Sequence, residues 1–146
     1  MRSGDAIIIT IILVLAVLFF GYVWPTFRLF RSFDHIEQNA QRRITARELQ
    51  AWATNLLAQH PSGRIRVSAL GTNFPKELLG LWKLPPDIFV NESRTNNAGT
   101  VDPGWVQLIW GSPMVGHCGF EIGPTNFTAF KSRRHAWSDG VYFYKN

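Results

Sequence analysis

From residue 6 to residue 24 the chain carries no charged side chain: it reads AIIITIILVLAVLFFGYVW, with Thr10 its only aliphatic hydroxyl. A helix that is apolar all round has no face to turn to water, so it suits lipid or the centre of a large protein. The whole chain is 146 residues, too short to build a large core around such a helix. Nineteen residues at about 1.5 Å per residue reach roughly 28 Å, close to the hydrocarbon thickness of a bilayer. The sequence therefore predicts an N-terminal tail and transmembrane anchor over residues 1–24. No small-x-small cleavage pattern follows the run, where Gly21, Tyr22, Val23, Trp24, Pro25 and Thr26 stand instead. That pattern favours an uncleaved anchor over a removed signal peptide.

The residues after the run keep the chain at the membrane edge. Tyr22 and Trp24 stand where aromatic side chains meet headgroups. Phe27, Phe30 and Phe33, with Leu29 and Ile36, recur at three- and four-residue spacing, and Arg28, Arg31 and Asp34 fall between them. This predicts an amphipathic juxtamembrane helix over residues 25–44, with Tyr22, Trp24, Phe27, Arg28, Phe30 and Arg31 as interface residues. Such a helix either lies in the acyl boundary or continues the anchor and packs on the following domain. Five arginines against three acids give residues 1–44 a charge of +2, most of it after the apolar run. The positive-inside rule then gives a slight preference for a cytoplasmic domain on a single-pass protein.

Residues 45–146 suffice for one small globular α+β domain, with ten basic and seven acidic side chains. So mild a charge, not gathered on one helix, argues against a nucleic-acid binder. Thr45-Ala46-Arg47-Glu48 is a capping box, and Leu49, Trp52, Ala53, Leu56 and Leu57 follow at helical spacing until Pro61 and Gly63. Alternation over residues 64–70 predicts a strand. Leu78, Leu79 and Trp82 suggest a second short helix, ended by Pro85-Pro86. Further strands are expected at residues 87–91, 105–110, 118–122, 126–130 and 141–144, with Asp139-Gly140 as a hairpin turn. The expected domain is two helices packed on an antiparallel sheet of four to six strands. The polar stretch 92–104 is its expected mobile loop.

Motifs that carry chemistry are scarce. The glycines of residues 111–123 match neither a phosphate-binding loop nor a dinucleotide fingerprint. They fit a loop between strands, with Gly119 leaving room for a bulky side chain, a tryptophan being the candidate, to lie across the sheet. Cys118 is the only cysteine, so one chain forms no disulfide. Placed on the core face with Phe120 and Ile122, it is expected to be an inert thiol. His117 and Glu121 then share the opposite face and form a weak ligand-site candidate. The four histidines show no metal-ligand spacing, so no metal, no cofactor and no catalytic residue is expected. Lys131, Arg133, Arg134 and His135 are read as a solvated basic turn.

An apolar helix that continues into an amphipathic one and precedes an antiparallel sheet resembles the layout of type IV pilins and pseudopilins. Pro25 lies roughly where those helices carry a proline. Processing after Gly4 would place Ile9 where that family has its glutamate, a departure from its motif. The expectation from sequence is a membrane-anchored, non-enzymatic accessory or interaction protein. Its partners are the lipid bilayer and a protein at the membrane, no nucleic acid is expected, and homo-oligomerisation is left open. A pilin-like filament subunit, and a tethered enzyme or ligand-binding domain using the His117/Glu121 face, are the alternatives.

Overall fold

The structure is a computed structural model that describes residues 3–95, 99, 101–112, 116–128 and 134–146; the side chains of residues 3–6, 26, 27, 29, 30 and 134 fall outside that description. The chain divides into two compact units, Met1–Ser32 and Phe33–Asn146.

The first unit is helical. α1 (Ser3–Leu18) passes into a π turn (Phe19–Val23), and α2 (Trp24–Arg43) begins directly after it. The sequence predicts one uninterrupted anchor here, and the structure corrects that. α1 ends after 16 residues, and among the described residues no helix is long and apolar enough to cross a membrane. The cause of the break is Pro25. Its nitrogen carries no hydrogen to give the Gly21 carbonyl, and its ring crowds that carbonyl, so a regular α-turn is lost. The backbone widens by one residue instead, and the Trp24 N–H donates to the Phe19 carbonyl. Side chains from Ile7 to Trp24 are exposed nearly all round.

In the second unit the latter part of α2 turns Phe33, Ile36 and Ala40 inward, all buried. Of the two readings of this helix, packing on the domain holds for the stretch from Phe33 onward. α3 (Ala46–Gln59) starts at the predicted capping box: the Glu48 amide donates to the Thr45 hydroxyl and the Thr45 amide donates to the Glu48 carboxylate. Leu49, Ala53 and Leu56 are its buried stripe.

The expected strand over residues 64–70 is halved. β1 (Gly63–Arg66) gives way to a single helical turn, α4 (Val67–Leu70), which buries Leu70. Val67 and Leu70 also satisfy helical spacing, and the tertiary contact of Leu70 decides between the two periods. The second predicted helix reduces to short 3₁₀ turns at Gly71–Asn73 and Lys76–Leu78.

The sheet is antiparallel and has six strands in the order β1-β2-β5-β6-β8-β7, built from β2 (Asp87–Asn91), β5 (Trp105–Ser112), β6 (Gly116–Ile122), β7 (Arg134–Ser138) and β8 (Val141–Lys145) beside β1. A separate ribbon pairs β3 (Arg94–Thr95) with β4 (Val101–Asp102) inside the stretch expected to be a plain loop. β7 occupies part of the basic segment read from sequence as a turn; residues 131–133 of that segment lie outside the described residues. Of the strand expected over residues 126–130, residues 129 and 130 lie outside the described residues, and over 126–128 the chain instead turns so that the Phe127 N–H donates to the Pro124 carbonyl. Asp139-Gly140 is the predicted hairpin, with Gly140 at φ +79°.

Register sorts the side chains onto two faces. Ile88 and Val90 on β2, Val106, Leu108 and Trp110 on β5, Cys118, Phe120 and Ile122 on β6, and Val141 and Phe143 on β8 form the buried apolar face. α3 lies across β2, β5 and β6, and the part of α2 from Phe33 onward is clasped to the same side by the Asp34–Lys145 ion pair at 2.6 Å.

Candidate functional site

On the opposite face, Gln107, Glu121 and Tyr142 line up across β5, β6 and β8, and Ile109, Gly119 and Tyr144 form the neighbouring row. The predicted division of β6 holds: Cys118 points to the helices, while His117 and Glu121 share the other side with Gly119. Gly119 is required by close approach. A Cβ there would overlap the Leu108 carbonyl and come within 3.0 Å of the Tyr144 hydroxyl. The bulky side chain beside Gly119 is a tyrosine and not the tryptophan expected, and Gln107 Nε2 donates to the Tyr144 hydroxyl at 2.9 Å.

His117 and Glu121 are not brought together. They flank Gly119 on one strand, four residues apart, which sets their Cα atoms roughly 13 Å from each other. Glu121 is buried at 1% exposure. The His117 ring stands edge-on to Tyr144 at 5.9 Å, its Nε2 is 3.3 Å from Asn146 Nδ2, and its buried Nδ1 has no hydrogen bond among the described residues. Neither side chain is aimed with the other at a common point. The pair has no acid–base geometry.

Sequence reasoning missed the aromatic half of this face. Phe127 leaves the turn after β6 and is buried against the sheet, stacked on Trp105 at 5.6 Å and edge-on to Tyr142 at 5.9 Å. The Tyr142 hydroxyl donates to the Phe127 carbonyl at 3.2 Å. The two-residue period of β5 and β8 is the signal that could have put Trp105, Gln107, Tyr142 and Tyr144 together on the side away from the core. What it could not supply was the turn that folds Phe127 over them.

Cys118 lies on the helix-facing side of β6 opposite Trp110, fully buried. Burial pushes its thiol up to about 12, and the carboxylates of Asp34 and Glu37 push in the same direction. A thiol held that high supplies almost no thiolate at neutral pH. Glu37 is likewise raised, chiefly by burial, with His135 at 3.9 Å acting against the rise. Glu48 is held below the usual carboxylate range by its hydrogen bonds to the Thr45 hydroxyl and amide.

Two clefts flank Trp52, whose Nε1 donates to the Asn73 carbonyl at 2.8 Å. The larger, about 500 Å³, opens between Phe74, Pro75 and Leu79; the smaller, about 130 Å³, lies by Asn55, Gln59 and Leu70. Trp52, which shares the helical spacing of the buried Leu49, Ala53 and Leu56, sits at the rim of the core.

Of the predicted interface residues, Tyr22, Trp24, Arg28 and Arg31 are exposed, and the side chains of Phe27 and Phe30 lie outside the described residues. Compared with protein-family models, curated proteins and solved structures, the chain matches none.

Proposed function

We propose that the chain is a non-enzymatic interaction module held at a membrane by its apolar N-terminal stretch. The observation that carries this reading is the contrast in exposure. The large apolar side chains of the second unit are mostly buried, whereas Ile7, Ile8, Ile11, Leu13, Val17 and Phe20 stand about half exposed or more on every side of α1 and the π turn that follows it. α1 and the π turn together run from Ser3 to Val23, roughly 30 Å of helical backbone with few free polar groups. Tyr22 and Trp24 then stand at its end, in the place of an aromatic belt. A domain tethered this way meets other membrane proteins at a raised effective concentration, so weak contacts suffice.

The test is extraction of membranes from cells that express the full chain. The protein is expected to stay with the membrane through an alkaline carbonate wash, and the double variant Ile12→Lys/Leu15→Lys is expected to be released. Both positions are exposed, so the substitution leaves the domain folded. Full release of the unaltered chain would overturn the reading.

A pilin-like subunit is a second reading. Its support is that α2 both continues the apolar path and supplies, from Phe33, a layer on an antiparallel sheet. Crosslinked ladders of the full chain in membranes would favour it; monomers alone would count against it.

A further inference from the structure

We propose that Arg28 and Arg31 bind the headgroups of anionic phospholipids, a surface that rests on the membrane reading above. By sequence the case is neutral: residues 28–37 hold Arg28 and Arg31 against Asp34 and Glu37. The fold changes that balance. Asp34 is held at 2.6 Å by the Lys145 ammonium on β8, and Glu37 lies 3.9 Å from His135 on β7. Asp34 is thus paired with a cation of the sheet, and Glu37 faces the sheet's last strand. Arg28 and Arg31 are exposed and have no ion-pair partner among the described residues. Two guanidinium groups remain within two turns of Trp24, where the apolar path ends. Their planar donor forks match phosphate oxygens, and their charge is complementary to a leaflet that carries acidic lipid.

Other features carry less. The clefts beside Trp52 have nothing to say what fills them, and the His117 face holds no converging pair. The arginines have both a charge to match and a neighbouring apolar segment that brings the lipid to them.

The test is flotation of the detergent-solubilised full chain with two vesicle types, pure phosphatidylcholine and phosphatidylcholine with ~30 mol% phosphatidylglycerol. Binding should be stronger on the anionic vesicles by about fivefold per arginine, roughly 25-fold in all, at low salt. The Arg28→Gln/Arg31→Gln variant should float equally with both. Arg64→Gln, which removes a guanidinium already paired with Asp87, should keep the preference. Equal flotation of the unaltered chain with both vesicles, or a preference that survives the double substitution, overturns the headgroup site alone. Flotation with neither overturns the membrane reading as well. Loss of the preference to millimolar inorganic phosphate, but not to sodium chloride of equal ionic strength, would make the site a phosphate pocket and overturn the lipid assignment.

Discussion

The two faces of the six-stranded sheet are built on the same strands and held by different physics. Toward the helices, Leu108, Phe120 and Phe143 meet across β5, β6 and β8, with Trp110 edge-on to Phe120 at 6.0 Å. That face is stabilised by removing apolar area from water, and its residues are interchangeable within limits of volume. Away from the helices, Gln107, Tyr142 and Tyr144 satisfy polar atoms through a few directed hydrogen bonds, and Gly119 gives the room. Each such bond contributes little net, but the geometry it needs is narrow. The helix-covered face buries most of the apolar area, while the other adds the Trp105–Phe127–Tyr142 cluster to bonds that fix register.

Substitutions separate the two. Phe120→Ala opens a cavity among Trp110, Trp137 and Phe143, and a loss of about 3–5 kcal/mol is expected by denaturant unfolding. A cost below about 1 kcal/mol would mean that the helix-covered face is not the main source of stability. Gly119→Ala puts a methyl group into the Leu108 carbonyl, and a loss of about 3 kcal/mol is expected as the β5–β6 pairing shifts. Retention of full stability would remove the steric argument for that glycine. Tyr144→Phe deletes one hydrogen bond on the less apolar face, and about 1 kcal/mol is expected, read as a small fall in denaturation midpoint with an unchanged slope.

The smallest expected effect is a pH dependence beneath α2. The carboxyl of Glu37 is raised in the folded state, so folding favours its protonated form. Its contribution is fully present below the ordinary carboxylate pKa and is lost as pH rises through the raised value. Glu37→Gln should therefore gain stability relative to the unaltered protein as pH climbs through that window. A difference that is flat with pH would show that the His135 contact offsets burial.

Much of the apolar face was legible in the sequence, because period-2 alternation at residues 105–110, 118–122 and 141–144 marks strands and fixes which side chains point together. The Thr45 capping box and the Asp139-Gly140 turn were readable for a similar reason, since both are set by residues within a few positions. What failed was decided at longer range. Residues 67–70 fit strand and helix alike until Leu70 finds the core. Arg134 and His135 belong to a strand because β8 is there to pair with them, and a run of bases gives no sign of that. Phe127 is diverted from strand to turn by contacts with Trp105 and Tyr142 that lie 22 and 15 positions away in sequence. The break at Phe19–Val23 was foreshadowed by Pro25 but not its form as a widened turn.

The outer strands of the sheet bear on how many copies can coexist. β1 is only four residues long, shows Arg64 and Arg66 to solvent, and then coils into α4; β7, at the far edge, is bulged between Ala136 and Ser138. Short, charged and kinked borders are poor templates for a neighbouring chain to extend the hydrogen-bond ladder. Along these two described borders, edge-to-edge extension of the six-stranded sheet, the contact that seeds fibrils, is disfavoured.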